Sequence, residues 1–157
     1  MSAPRRARCY SRVVRRTLVA ALLACFGLAA APACTRQGGD DLRGEVAYLV
    51  SQEGEQAQAA ATHLSGFGRR ALPSIEAALH TADAHGRKNL ILALRKLGDI
   101  ESVPLLRHLA LHDDDDGVKQ EAEWTLRGWS RAGDARADRA RAALREIDER
   151  RGHEASG

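Results

Sequence analysis

Aromatic side chains make up only 4% of this chain of 157 residues, with two Trp, two Tyr and two Phe. Any core therefore has to be assembled from Leu and Ala, and one modest domain is the most the length supports. Strand signals are missing as well. From Asp41 onward β-branched or aromatic residues nowhere alternate with polar ones over a useful length, which excludes a sheet protein. The three cysteines, Cys9, Cys25 and Cys34, all lie near the N-terminus, so the chain beyond Cys34 holds no internal disulfide. Catalytic signatures are absent beyond residue 33: there is no Gly-x-Ser-x-Gly elbow, no Gly-rich phosphate loop, no paired-Cys zinc site and no His-Glu-x-x-His helix. No enzyme and no cofactor is expected.

Charge is unevenly placed. Residues 1–33 hold six of the 24 basic residues and none of the 21 acidic ones, which leaves 18 against 21, a formal charge of −3, for the remainder. The sequence pI of about 9.0 thus belongs to the N-terminal segment. Affinity for phosphate backbones comes mainly from clustered Lys and Arg, so a nucleic-acid partner is disfavoured.

The N-terminal segment reads as an address. Arg5, Arg6, Arg8, Arg12, Arg15 and Arg16 precede a run from Thr17 to Ala33 without a charged residue, the order of a basic n-region and an apolar h-region. The run closes on Ala31-Pro32-Ala33, small residues suited to signal peptidase, whereas a spanning helix needs roughly 20 apolar residues without an early Pro. Arg15-Arg16-Thr17-Leu18-Val19 resembles the twin-arginine export signal. Cys34 follows the small residues and precedes the polar run Thr35 to Asp41, which resembles a bacterial lipoprotein signal. In that family the first mature residue is a Cys that receives a diacylglycerol. The resemblance implies lipidation at Cys34 and a place in the cell envelope, exported and lipid-anchored to a membrane. The usual Leu three places before the Cys is Ala31 here. Leu22-Leu23-Ala24-Cys25 fits that position, but apolar residues follow Cys25; simple secretion and an uncleaved anchor compete with lipidation. The expected organisation is a signal peptide (1–33), a flexible polar tether (34–41), a helical domain (42–150) and a disordered tail (151–157).

Beyond the tether the periodicity is helical. Leu42, Val46, Leu49 and Val50 mark a first helix behind a cap at Asp40 or Asp41, and Gly54 ends it. Further helices follow over Gln56 to Gly66 (Ala60, Leu64, Phe67) and Ala71 to Thr81 (Leu72, Ile75, Leu79). Gly86 to Leu111 supplies two more, broken at Leu97-Gly98-Asp99, where Gly stops one helix and Asp caps the next. Val118, Ala122, Leu126 and Trp129 face one side of another helix. A charged last one spans about Asp134 to Arg150, with Ala140, Ala143, Leu144 and Ile147 on its apolar face.

The chain also repeats itself. Ala78-Leu79-His80 returns as Ala110-Leu111-His112, and Leu94-x-x-Leu97 as Leu126-x-x-Trp129, both at an offset of 32. Leu72-Pro73 and Val103-Pro104 sit near the starts of second helices, where Pro is tolerated because first-turn N–H groups have no helical partner to lose. Leu94 to Leu106, followed by the acidic turn Asp113 to Lys119, resembles HEAT-type repeats, in particular the short bacterial kind related to bilin-lyase repeats. The resemblance covers about residues 42–150. It implies an all-α fold: a short right-handed α-α solenoid of about 2.5 repeats. Within a solenoid, an interior helix has neighbours on both sides, which accounts for the nearly all-round apolar character of Leu90 to Leu97.

Four groups of residues are candidates for chemistry. His112 to Glu123 places Asp114, Asp116, Gly117 and Glu123 as a calcium loop would, but has His112 at the first ligand position and Lys119 where an apolar residue belongs; an acidic helix start capped by Asp115 or Asp116 competes with it. His108 and His112 stand at i,i+4, a metal-gripping spacing, with His80 and His85 near; helix-end histidines explain these equally. Trp129 aligns with Leu97 and is expected in the core. Trp124 aligns with Leu92, which suggests an inter-repeat contact or a partner anchor. Solenoids present extended surfaces, so the expected function is non-catalytic binding of an unidentified protein partner. Its contacts would be Glu76, Arg107 and His108 on the second helices, with Trp124 as a further candidate. A bilin-lyase-like role and a metal- or Ca²⁺-binding envelope protein are the competing possibilities.

Overall fold

The computed structural model describes residues 37–156, so the expected signal segment and the lipidation site Cys34 lie outside the described residues. Seven α-helices follow one another among them: α1 (Gln37–Val50), α2 (Gly54–Ser65), α3 (Leu72–Leu79), α4 (Ala84–Leu97), α5 (Val103–His112), α6 (Asp116–Ser130) and α7 (Ala135–Glu154). Short 3₁₀ turns at Gly68–Ala71 and Ile100–Ser102 lead into α3 and α5.

Local chemistry sets most boundaries. Asp83 caps α4 by accepting from the Gly86 N–H at 2.8 Å. Asp115, not Asp116, caps α6 through the Val118 N–H at 2.9 Å, and Asp134 starts α7 by accepting from Arg136 N at 3.0 Å. Pro73 and Pro104 stand in the first turns of α3 and α5, where the missing N–H costs nothing. Gly98 ends α4 in the left-handed conformation, φ 63°, returning its N–H to Leu94 O, the cap that glycine adopts without Cβ strain.

Two ends differ from the expectation. Helix α1 opens at Gln37, inside the stretch read as a tether and ahead of the buried Leu42. Helix α7 continues to Glu154, beyond Arg150. Its last turns are tied to α6 by Arg151, which reaches the Glu123 carboxylate at 2.7 Å, a tertiary contact that local sequence does not announce.

The helices form two layers. First helices α2, α4 and α6 stack on one another, while α1, α3, α5 and α7 make the second layer and close over them. Along the chain, α1 packs on α2, α3 on α4, α5 on α6 and α6 on α7, whereas α2 with α3 and α4 with α5 are consecutive in sequence but scarcely touch. A single aliphatic cluster from Leu42 to Ile147 runs between the layers. Helix α4 buries six consecutive residues, Asn89 to Leu94, whereas α2 buries only the stripe Ala57, Ala60, Ala61 and Leu64. The broad apolar arc of the central helix is thus accounted for by neighbours on each side.

Candidate functional site

The second layer carries the most distinctive surface. Helices α1 and α3 pack together, as do α5 and α7, and the groove along each seam is lined by small residues, Ala47, Ala77 and Ala78 in the first and Val103 and Ala143 in the second. Helices α3 and α5 scarcely touch, and the space between them is flanked by Glu76, His80 and His108. A trough of about 480 Å³ is left, lined by Leu72, Leu105 and Pro104 as well as those polar residues. It continues past His80 and His108 toward His112 and Asp114 at the C-terminal ends of the two helices.

Of the four residues singled out for partner binding, Glu76 and His108 share this trough. Both are exposed, and Glu76 has no ion-pair partner among the described residues. Arg107 faces the neighbouring α5/α7 groove, where its guanidinium is held 2.5 Å from Glu146. Trp124 lies on α6 in the opposite layer. It is 59% exposed while its aligned counterpart Leu92 is buried, so the inter-repeat contact inferred from the alignment does not form. Arg95, paired with Glu121 at 2.7 Å, lies over the indole at 4.5 Å, so a cation of α4 rather than an apolar side chain faces this ring. Trp129 sits in the core as expected, 6% exposed.

The acidic turn is engaged by protein cations. Arg87 of α4 donates to Ala82 O at 2.9 Å and to Asp113 at 2.8 Å, and also contacts Asp114. The Asp113 side chain is only 4% exposed, so this guanidinium is a staple joining the end of α3, the start of α4 and the α5/α6 turn. Its bond to Asp113 pushes the Arg87 pKa higher still, against the opposing effect of burial. Lys88 stands 3.2 Å from Asp115, whose carboxyl is held below the usual aspartate range by the Val118 N–H first and by Lys88 next. Asp116 pairs with Lys119 at 3.0 Å. A calcium loop over His112 to Glu123 is not formed, since its last eight residues belong to α6.

Glu123, the bidentate ligand of that loop, is instead bound by Arg151 and Arg127. Burial raises its pKa, but the two guanidiniums outweigh burial and hold it below the usual glutamate value. The His108 and His112 rings do adjoin, with centroids 5.0 Å apart, and His80 lines the same trough. His85 is turned away from it, with Nε2 2.8 Å from Gln52 O. No group of three potential ligands is arranged to hold a metal among the described residues.

Sequence reasoning missed Arg87, Glu101, Leu105 and Asn89. A signal for Arg87 was present: at the repeat offset of 32 it aligns with another basic residue, Lys119. Leu105 looks like any helical leucine, and only the failure of α3 to cover it leaves it half-buried.

A protein-family model described as HEAT repeats matches residues 46–127, from the middle of α1 into α6. Nothing matches among the curated proteins or the solved structures.

Proposed function

Because the chain belongs to the HEAT-repeat family, we propose that it works as a non-catalytic protein-binding module of the bacterial cell envelope, exported and anchored through a lipid on Cys34. The observation that carries the binding reading is the α3/α5 trough. It joins an apolar floor to exposed polar walls that include the carboxylate of Glu76, unpaired among the described residues, the composition of a surface that fixes a partner's register as well as its apolar anchors. Stacked helical repeats commonly present such extended surfaces to other proteins. The export reading rests on the basic n-region, the uncharged run that follows it and Cys34 ahead of a polar stretch.

Each half has its own test. A photo-crosslinking residue at Glu76 is expected to capture a discrete partner in envelope preparations, and one at the exposed Gln58 of α2 is not; equal capture, or none, at both positions sinks the binding role. Mass spectrometry of the processed N-terminus is expected to find a diacylglycerol on Cys34. An unmodified Cys34 removes the lipid anchor.

A further inference from the structure

We propose that the α3/α5 trough receives a cationic amphipathic segment of a partner protein, with apolar anchors three or four residues apart flanked by Lys or Arg. This rests on the protein-binding reading above and goes on to specify the partner's chemistry. The lining of the trough carries four carboxylates, Glu76, Glu101, Asp113 and Asp114, against one guanidinium, Arg87. That cation is already committed to Asp113 and Asp114. Glu76 is unpaired among the described residues, and the nearest cation to Glu101 is Arg139 at 3.9 Å, the outer limit of direct contact. An acidic segment would meet the open carboxylates of Glu76 and Glu101 and, among the described residues, no unpaired Lys or Arg in the lining, whereas Lys or Arg would find Glu76 and Glu101 on facing walls.

The other grooves of this layer do not offer the same field. Arg43 is the charged residue of the α1/α3 groove, and in the α5/α7 groove Arg107 is neutralised by Glu146. Leu72 and Leu105 then take the apolar anchors. Helix α5 has 10 residues, so the trough is roughly 15 Å long, enough for two or three turns of a docked helix.

The test uses the purified full-length chain and three labelled synthetic helices with identical Leu spacing and Lys, Gln or Glu at the flanking positions, read by fluorescence anisotropy. The Lys helix is expected to bind about tenfold more tightly than the Glu helix, and the gap is expected to narrow at high salt. Glu76→Lys combined with Glu101→Lys should reverse the order. Both residues are exposed, and a thermal melt checks that the variant folds like the parent. If all three helices bind alike and Leu105→Asp abolishes binding, the charge preference is overturned while the protein-binding reading stands. If none binds, both fall. If the Lys helix binds but the double reversal changes nothing, the trough is not its site and the proposal is overturned.

Discussion

Asn89 offers the sharpest test of how the first helix is held. Its side chain sits on α4, 8% exposed, and its amide donates to Gln52 O at 2.8 Å and to Leu49 O at 3.1 Å. These are carbonyls at the end of α1, where helical partners run out. Asn89→Ala removes both bonds. Each carbonyl retains another donor, Leu49 O from the Gln52 N–H at 3.1 Å and Gln52 O from His85 at 2.8 Å. The loss is therefore two net hydrogen bonds rather than two orphaned acceptors, about 1–3 kcal/mol in total. Equilibrium urea unfolding followed by far-UV circular dichroism reads the total. Hydrogen exchange localises it: amides of α1 should exchange faster while those of α6 keep their protection. Asn89→Asp should cost more at neutral pH, because it aims a carboxylate at two carbonyl oxygens, and its deficit should shrink on acidification as the carboxyl regains a proton to donate. An unchanged midpoint together with unchanged α1 exchange would refute this anchoring.

Glu123 makes stability depend on pH. Its pKa is lower in the folded chain than in the unfolded one, so its contribution is fully present above the ordinary glutamate range and is lost as pH falls through the folded value; the urea midpoint should decline on acidification, and Glu123→Gln should flatten that decline. Leu64, Leu94 and Leu126 are all buried to 1% exposure or less, yet Leu94→Ala is expected at the top of the roughly 2–5 kcal/mol range, since α4 is packed from both sides of its layer; equal losses by thermal unfolding would contradict the interior-repeat model. Gly86→Ala should destabilise even though Ala is the better helix former, because a Cβ there would stand 2.6 Å from Val50 Cγ1; a gain in melting temperature would mean that α1 and α4 can move apart freely.

Much of the fold was legible in one dimension, because its determinants are local. Helix spacing, the aspartates at helix starts, Gly98 and the two prolines act within a few residues of themselves. The broad apolar run of Leu90 to Leu94 signalled its own position between neighbours. The candidate site was legible only in part. Glu76 and His108 could be placed on second helices, but their meeting across a trough depends on α3 standing away from α5, and no single helix encodes that distance. The acidic turn was misleading for a related reason. Its spacing admits calcium ligands, yet the cations that occupy its carboxylates, Arg87 and Lys88, arrive from the preceding repeat.

Trp124 marks the same boundary from the other side. Alignment assigned it the environment of Leu92, but in the folded chain it stays 59% exposed, with Arg95 over its ring. The sequence by itself thus determined helix, cap and repeat, since backbone hydrogen bonding and apolar periodicity act over a few residues. Only the tertiary structure decided which charges are spent, which apolar residues stay open and where a partner can dock. Those outcomes depend on side chains some 26 to 40 positions apart, as in Arg87 with Asp113 and Asn89 with Leu49, whose distance the packing alone sets.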